Sequence, residues 1–180
     1  MALSATIYKA DINVVDMDRH YYEQHSLTLA QHPSETAERL MLRLLVFALH
    51  ASETMAFTKG LSTDDEPDLW QKSLSDEIEL WIELGLPSEK RLKKACGRSQ
   101  QVIVYAYGAG SANLWGEKIQ PQLSRFNNLT VKRIDAEPLE QLKIFLKRTI
   151  ELQISIQDKE ITCLSADNEL VLTPEILSLR

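Results

Sequence analysis

The spacing of apolar residues changes along the 180-residue chain, and this change restricts the possible folds more than any other feature. Polar and apolar residues alternate over residues 6–15 and again over 20–30, as they do in paired strands with one buried face. Between residues 32 and 52 the apolar residues recur with the period of a helix, which we expect Pro33 and a capping Ser34 to begin. The first part of the chain therefore predicts a β-hairpin followed by a helix.

The rest of the chain mixes short strands with helices. Helical patterns lie between the later strand-like runs, which cover residues 55–61, 79–85, 100–108 and 128–134. Alternation returns from residue 150 to 172, with turns around Asp158 and Asp167, and this is typical of an antiparallel meander. We therefore predict one α/β (α+β) domain over residues 1–180, with a mixed β-sheet flanked by helices and β-hairpins at both ends.

Composition limits the function classes. The chain has 20 Lys and Arg against 26 Asp and Glu, a net charge of -6, which argues against nonspecific coating of nucleic acid but allows local contact with a phosphate. There is no basic leader and no apolar run near the roughly 20 residues that cross a bilayer, so we expect a cytoplasmic monomer with no membrane partner. Cys96 and Cys163 are expected to be reduced core thiols, because no CxxC or disulfide pattern is present.

One carboxylate in the N-terminal helix interrupts the apolar pattern. A helical projection puts Glu35, Arg39, Arg43 and His50 on one polar stripe, but it puts Glu38 among leucines on the face that should pack against the sheet. Burial of an unpaired charge costs several kcal/mol, so Glu38 needs a cation, a metal, hydrogen-bond donors or a water-filled cleft. The alternative is that Glu38 reaches solvent near the start of its helix, where the macrodipole favours an acid.

The strand at residues 79–85 carries acids on one face. Glu79, Trp81 and Glu83 share that face, which is either half-exposed or, in a sheet covered by helices on both sides, turned into a cleft. The following helix has Lys90 and Lys94 opposite its apolar side, where we expect them to be solvated. Arg91 and Lys93 flank the apolar side, so either could reach the strand, and we favour Lys93 because it borders Cys96.

An acidic cluster precedes this strand. Asp65 could cap a short helix with Pro67 at its first position. Alternatively, Asp65 or Asp68 joins Glu83 to bind a hard divalent cation, because Mg²⁺ prefers oxygen ligands, usually one or two carboxylates with water and substrate phosphates.

The whole chain resembles the YaeQ family of small bacterial proteins. The resemblance rests on runs that occur in the same order, namely SATIYKADINVVDMDR, LTLAQHPSETAERLMLRLL, FTKGLSTDDEPDLW, IELWIELGLPSEKRLKKAC and LQISIQD. This resemblance implies a compact variant of the PD-(D/E)XK nuclease fold, with a restriction-endonuclease-like core. In that superfamily an acid on the first helix, an aspartate and a Glu-x-Lys motif assemble a Mg²⁺ site that cleaves phosphodiesters.

The resemblance also implies roles for individual residues. The helix acid corresponds to Glu38, the aspartate to Asp65 or Asp68, and the motif glutamate to Glu83, with Pro67 and Asp68 forming the literal "PD". The motif lysine is absent, because Leu84 and Gly85 follow Glu83, and Lys93 on the next helix is the candidate replacement.

Two functions follow as expectations. In the first, Glu38, Asp68, Glu83 and Lys93 are the catalytic residues of a Mg²⁺-dependent nuclease, with Asp65 as a further candidate metal ligand. In the second, the chain is a non-catalytic domain of the same fold that binds a protein or a nucleic acid, as the acidic net charge and the missing lysine suggest. The histidines show no HxxH or HExxH spacing, and the glycine run at residues 108–116 is better explained by a turn that opens a helix.

Overall fold

The structure is a computed structural model that describes residues 3–59, 61 and 63–178. The described residues form eleven strands: Thr6–Asp16 (β1), Tyr21–Gln31 (β2), Met55–Phe57 (β3), Leu69–Lys72 (β4), Ile78–Leu84 (β5), Ser99–Ala106 (β6), Leu129–Arg133 (β7), Thr149–Gln157 (β8), Glu160–Leu164 (β9), Glu169–Leu172 (β10) and Glu175–Ser178 (β11). They also form four α-helices, namely Ala37–Leu49 (α1), Glu89–Arg98 (α2), Ala109–Leu123 (α3) and Ala136–Gln141 (α4), and a 3-10 helix at Leu142–Phe145. The mixed α/β class is confirmed.

The chain divides into two compact units. Unit 1 combines Met1–Ala51 with Glu137–Thr173, and unit 2 combines Ser52–Ala136 with Pro174–Arg180. Each unit has its own sheet, whereas the sequence predicted a single sheet for the whole chain. The prediction of a single domain over residues 1–180 stays a prediction.

Unit 1 contains a five-stranded sheet in the order β10-β9-β8-β1-β2. The predicted N-terminal hairpin is confirmed, because β1 and β2 pair antiparallel along eleven residues each. Ala10, Ile12 and Val14 alternate with exposed residues along β1 and are buried, as a sheet with one covered face requires. The predicted meander of β8, β9 and β10 is also confirmed, and Asp158 and Lys159 form its first turn with positive φ.

Helix α1 begins later than the sequence predicted. Thr36 is its N-cap and accepts a hydrogen bond from the backbone N–H of Arg39, whereas the predicted cap, Ser34, hydrogen-bonds to His32 instead. The prediction of Ser34 as the cap is therefore wrong by two residues, because the Thr36 hydroxyl is the one that meets a first-turn N–H.

Unit 2 contains a six-stranded mixed sheet in the order β11-β7-β6-β5-β4-β3. Strands β5, β6 and β7 are parallel, and α2 and α3 form the connections between them. The core of this unit packs side chains of α2 and α3 against one face of these strands, including Trp81, Leu92 and Ile119. Gly85, directly after β5, and Gly108, two residues after the end of β6, have positive φ where the chain turns towards the following helix.

Two local predictions in unit 2 are corrected. The strand predicted over residues 55–61 is shorter, since β3 ends at Phe57, and Gly60 within that prediction lies outside the described residues. No helix begins at Pro67, so Asp65 is not a helix cap; the chain bends there and enters β4 at Leu69. Across the described part of the chain, every helix is too short or too polar to cross a membrane.

Candidate functional site

The candidate site lies in unit 2, where β4 and β5 pair antiparallel. Leu69 is opposite Ile82, so Asp68 and Glu83 come at the same end of the two strands. The backbone N–H of Asp68 donates to the carbonyl of Ile82 at 3.0 Å, and the backbone N–H of Leu84 donates to Asp68 Oδ2 at 2.7 Å. These two bonds fix the Asp68 carboxylate beside the end of β5.

Strand β5 is covered on both faces. Trp81 is fully buried and Glu83 is 4% exposed, whereas Glu79 at the start of the strand is half-buried, so only Glu79 fits the alternative of a half-exposed face. Helix α2 packs Leu92 and Ala95 into the same cluster as Trp81, and this packing covers the face that carries the acids. The strand tip therefore presents a buried carboxylate, which the sequence offered as the alternative.

One oxygen of Glu83 receives two hydrogen bonds. The indole Nε1 of Trp81 and the guanidinium Nε of Arg91 each donate to Oε1 at 2.8 Å. Within the described residues, nothing donates a hydrogen bond to Oε2. Burial raises the pKa of the Glu83 carboxyl above its ordinary value; the bonds from Trp81 and Arg91 oppose this shift, and the nearby Asp68 carboxylate adds to it.

Arg91 also holds the acidic cluster. Its Nη1 donates to the carbonyl of Asp64 at 3.2 Å, and its Nη2 donates to the carbonyl of Glu66 at 2.8 Å. One guanidinium thus joins the tip of β5 to the segment that precedes Asp68. Its planar set of donors suits this task, since several acceptors lie in different directions around it.

The other predicted site residues have separate surroundings. Asp65 is exposed and forms an ion pair with Lys94, which lowers the pKa of its carboxyl. Lys93 is exposed on α2, and none of its contacts among the described residues is an ion pair with Glu83. The cation at Glu83 is Arg91, the flanking residue that the sequence favoured less than Lys93.

Glu38 lies in unit 1. Its carboxylate is 3.1 Å from Lys143 Nζ, and the side chain is 23% exposed. A hydrogen bond from its own backbone N–H, together with the neighbouring Lys143, lowers the pKa of the Glu38 carboxyl. The sequence predicted that Glu38 needs a cation, a metal, hydrogen-bond donors or a water-filled cleft. In the structure Lys143 is that cation.

Glu35, just before α1, and the two arginines of the polar stripe are buried, as are the apolar residues of the helix. Glu35, Arg39 and Arg43 are 7%, 8% and 5% exposed. Glu35 Oε1 accepts hydrogen bonds from Arg39 Nη1 and Arg43 Nε, both at 2.8 Å. The sequence predicted the stripe but not its burial, which the spacing of one acid and two arginines at i, i+4 and i+8 could have suggested.

The site offers few side chains that could bind a metal. No group of three or more Asp, Glu, His or Cys side chains placed to hold a metal occurs in residues 3–59, 61 and 63–178. What unit 2 offers is the pair Asp68 and Glu83. Carboxylate oxygens from one or two residues are the protein ligands that Mg²⁺ commonly uses, so the donor set fits this ion in chemistry.

Comparisons with known proteins match this chain to one family over most of its length. The sequence profile of the family described as YaeQ protein matches residues 1–174. The YaeQ protein of Salmonella typhi is 48% identical over 170 residues, which cover 94% of both chains, and that of Escherichia coli strain K12 is 49% identical over 158 residues, which cover 88% of this chain and 87% of that one.

Solved structures of similar proteins have the same fold as this chain. The crystal structure of YaeQ from Xanthomonas axonopodis pv. citri superimposes with a TM-score of 0.93 at 44% identity, covering 96% of this chain and 98% of that one. The YaeQ structure from Pseudomonas syringae also gives 0.93, at 34% identity and with 98% and 97% of the two chains covered. By sequence and by fold, the chain belongs to the YaeQ family.

Proposed function

We propose that this protein is a Mg²⁺-dependent, nuclease-like protein that acts on nucleic-acid phosphodiesters at Asp68 and Glu83. The observation that carries the proposal is the presence of two buried carboxylates, each 4% exposed, on neighbouring strands. Buried carboxylates are rare without a function or strong pairing, and an acid whose pKa burial raises, as at Glu83, is typical of functional sites. The proposal includes a nuclease fold of the PD-(D/E)XK type.

The chain's own residues have separate tasks in this proposal. Asp68 and Glu83 would hold the ion, and the bond from Leu84 N–H fixes the orientation of the Asp68 carboxylate. Arg91 supplies a permanent positive charge beside Glu83, and the exposed Lys93 stays a candidate for a second charge near the phosphate. The chemistry that a bound Mg²⁺ supplies is Lewis-acid activation of a phosphate and of water.

Glu38 and Asp65 have less support as ligands. Lys143 pairs with Glu38, and Lys94 pairs with Asp65. Both carboxylates are ionised at neutral pH, as their lowered pKa values require. We keep them as candidate ligands that the metal titration distinguishes from Asp68 and Glu83.

The test is a calorimetric titration with Mn²⁺, used as a reporter for Mg²⁺, up to millimolar concentration. We expect the wild type to show saturable binding, and we expect Asp68→Asn and Glu83→Gln each to weaken it at least tenfold. Asp76→Asn is the matched control, because it removes an exposed acid in the turn before β5, and Asp65→Asn and Glu38→Gln test the two further candidate ligands. Equal heats in the wild type, Asp68→Asn and Glu83→Gln would overturn the proposal.

A cleavage assay tests the activity after the metal titration. Wild-type protein should cleave labelled DNA or RNA with added Mg²⁺, and EDTA or Glu83→Gln should abolish the cleavage. Binding without cleavage would support the second function, a non-catalytic domain of the same fold that binds a nucleic acid or a protein. The contact of Arg91 with Glu83 favours this second function, because a protein cation already neutralises one of the two acids.

A further inference from the structure

One edge strand is much longer than the others in the two sheets that the described residues form. β2 ends the sheet of unit 1 and has eleven residues, whereas the edge strands β3, β10 and β11 have only three or four. An edge strand carries a row of unpaired N–H and C=O groups, which proteins ordinarily protect with short strands, lysines, prolines or bulges. Tyr21–Gln31 contains no lysine, arginine, proline or glycine, and it pairs with β1 in an unbroken register. β2 is therefore a long edge without these protections.

The hydrogen bonds of β1 show which backbone groups of β2 point away from the sheet. The N–H of Lys9 donates to the carbonyl of Arg148, just before β8, so odd-numbered residues of β1 bond towards β8 and even-numbered ones towards β2. The even residues of β1 lie opposite the odd residues of β2, so the even residues of β2 direct N–H and C=O outwards. The carbonyl of Ala30 agrees with this alternation, because Arg43 Nη2 on α1 donates to it at 2.9 Å.

The outward backbone groups are unpaired over one continuous stretch. Its four residues, Tyr22, Gln24, Ser26 and Thr28, are all exposed. Among the described residues, no hydrogen bond reaches their backbone N–H or C=O groups, whereas Arg43 already occupies the next outward carbonyl along the strand. The stretch at residues 22–28 thus offers donors and acceptors in alternation to another strand.

A second copy of β2 fits this stretch in the antiparallel direction. When the two copies align about the middle of the stretch, Tyr22 lies opposite Thr28 of the copy and Gln24 lies opposite Ser26 of the copy, and each pairing occurs twice. These pairs exchange two hydrogen bonds each, about eight in all. An aromatic ring beside a β-branched side chain is a favourable cross-strand pair, and an amide can hydrogen-bond to a hydroxyl. The edge is therefore complementary to itself in backbone and side chains.

The other face of β2 leaves room for the copy. Glu23, His25 and Leu27 are exposed or half-buried, whereas the residues opposite them on β1 are buried, so the cover of this face stops short of the edge strand. In the aligned pair Glu23 lies opposite Leu27 of the copy, and no acid faces an acid. Burial lowers the pKa of His25, although Glu23 opposes this shift, so the two imidazoles that meet at the centre are neutral at neutral pH.

We propose that this protein forms a two-fold symmetric dimer in which β2 of each copy extends the sheet of the other, paired over residues 22–28. The sheet then continues through both copies and ends at the short strand β10 on either side, so a third copy finds no long edge to join. The sequence led us to expect a monomer, because this edge becomes visible only from the order of the strands. Asp68 and Glu83 take no part in the pairing, so the metal titration does not decide it.

The test is sedimentation equilibrium over protein concentrations from about 1 to 500 µM, the range in which small interfaces dissociate. We expect the wild type to approach twice the mass of one chain. Q24P removes an outward N–H and leaves the bonds to β1 intact, so it should raise the dissociation constant of the dimer about tenfold or more. The matched control is A30P, which removes an outward N–H of the same strand beyond the paired stretch and should leave this constant unchanged.

A second pair of variants tests the edge without proline. Q24K/S26K places lysines opposite the lysines of the copy, whereas Q153K/S155K places two lysines at the same spacing on the same face of β8, inside the sheet. Like charges directly opposite each other are destabilising, so only Q24K/S26K should weaken the dimer. Circular dichroism must show the same fold in both lysine variants, which we expect because none of the four substituted side chains is buried.

Hydrogen exchange shows whether β2 is the interface. The backbone N–H groups of Tyr22 and Thr28 should exchange slowly in the wild-type dimer and rapidly in Q24P. A single-chain mass at every concentration, a dimer that Q24P and Q24K/S26K leave intact, or an equal loss in A30P would overturn the proposal. Slow exchange at these groups in a protein of single-chain mass would mean that another segment covers β2, and it would overturn the proposal as well.

Discussion

The guanidinium of Arg91 donates from Nε to Oε1 of Glu83 at a distance of 2.8 Å, and the two side chains come from consecutive elements, β5 and α2. Arg91 is 24% exposed and Glu83 is 5% exposed at the side chain. The acid is therefore the deeper member of the pair; Trp81 Nε1 also donates to it, and the neighbouring Asp68 carboxylate raises the pKa of Glu83.

Removal of the cation should be costly. We expect Arg91→Ala to lower the free energy of unfolding by about 2 kcal/mol or more, because it leaves a buried carboxylate without its cation, although partial exposure keeps the loss below that of a fully buried pair. Lys93→Ala, two positions away, should change it by less than about 0.5 kcal/mol. Urea denaturation of both variants measures this, and equal losses would show that Arg91 is not the cation Glu83 depends on.

The raised pKa of Glu83 gives the stability a pH dependence. Below the ordinary carboxyl pKa of 4.5, Glu83 is protonated in the folded and the unfolded state, and its favourable contribution is fully present. This contribution is lost as the pH rises through the folded-state pKa, because folding then buries a charge. The gap in unfolding free energy between Glu83→Gln and the wild type should therefore move in favour of the variant from about pH 4 to neutrality.

Urea denaturation in EDTA at several pH values checks this prediction. EDTA removes divalent ions that would stabilise the ionised acid. A gap that stays constant with pH would mean that Glu83 has the same pKa in both states.

The two acids at the start of α1, Glu35 just before the helix and Glu38 within it, should differ sharply in their effect on stability. Glu35→Ala removes the carboxylate to which two buried guanidinium groups donate, and we expect a loss of about 3 kcal/mol. Glu38→Ala removes only a partly exposed pair with Lys143, so the expected loss is below about 1 kcal/mol. Thermal denaturation of the two variants side by side tests this order, and a larger loss from Glu38→Ala would reverse our interpretation of the helix.

The thiols should react slowly in the folded protein. Burial raises the pKa of Cys96 to about 11 and that of Cys163 to about 12, so little thiolate is present at pH 8. We expect a disulfide reagent to modify Cys96 before Cys163, since Cys163 is the more deeply buried. Modification in denaturant gives the reference rate, and rapid reaction of both thiols without denaturant would contradict the prediction.

Local patterns predicted most of the elements. Strand alternation found β1, β2 and the C-terminal meander, and the helical pattern after the strand at residues 79–85 found α2, for which Ser88 is the observed N-cap. The division into two sheets was not predictable in this way. It depends on the parallel pairing of β1 with β8, which joins residues far apart in sequence and leaves no trace in a short window.

The sequence predicted that Asp68 or Asp65 lies near Glu83, and the structure puts Asp68 there, but the cation beside Glu83 was not predicted. The projection put Arg91 and Lys93 equally on the flanks of α2, and only the course of the segment at residues 64–66 decides between them. That segment presents its carbonyls to Arg91, which can reach Glu83 at the same time. The burial of Glu35 was missed for a similar reason, because a polar stripe on a helix is ordinarily assigned to solvent.

The pairing of β1 with β8 also sets an order of events during synthesis. Lys9 lies opposite Thr149, so the nascent hairpin of β1 and β2 leaves the ribosome long before its third strand has been translated. Residues 52–136 emerge in between and carry five of the six strands of the other sheet, which can therefore pair first. Any ribosome that stops before β8 releases a chain whose longest strand pair still has an open hydrogen-bonding edge, a species that chaperones or proteases must remove.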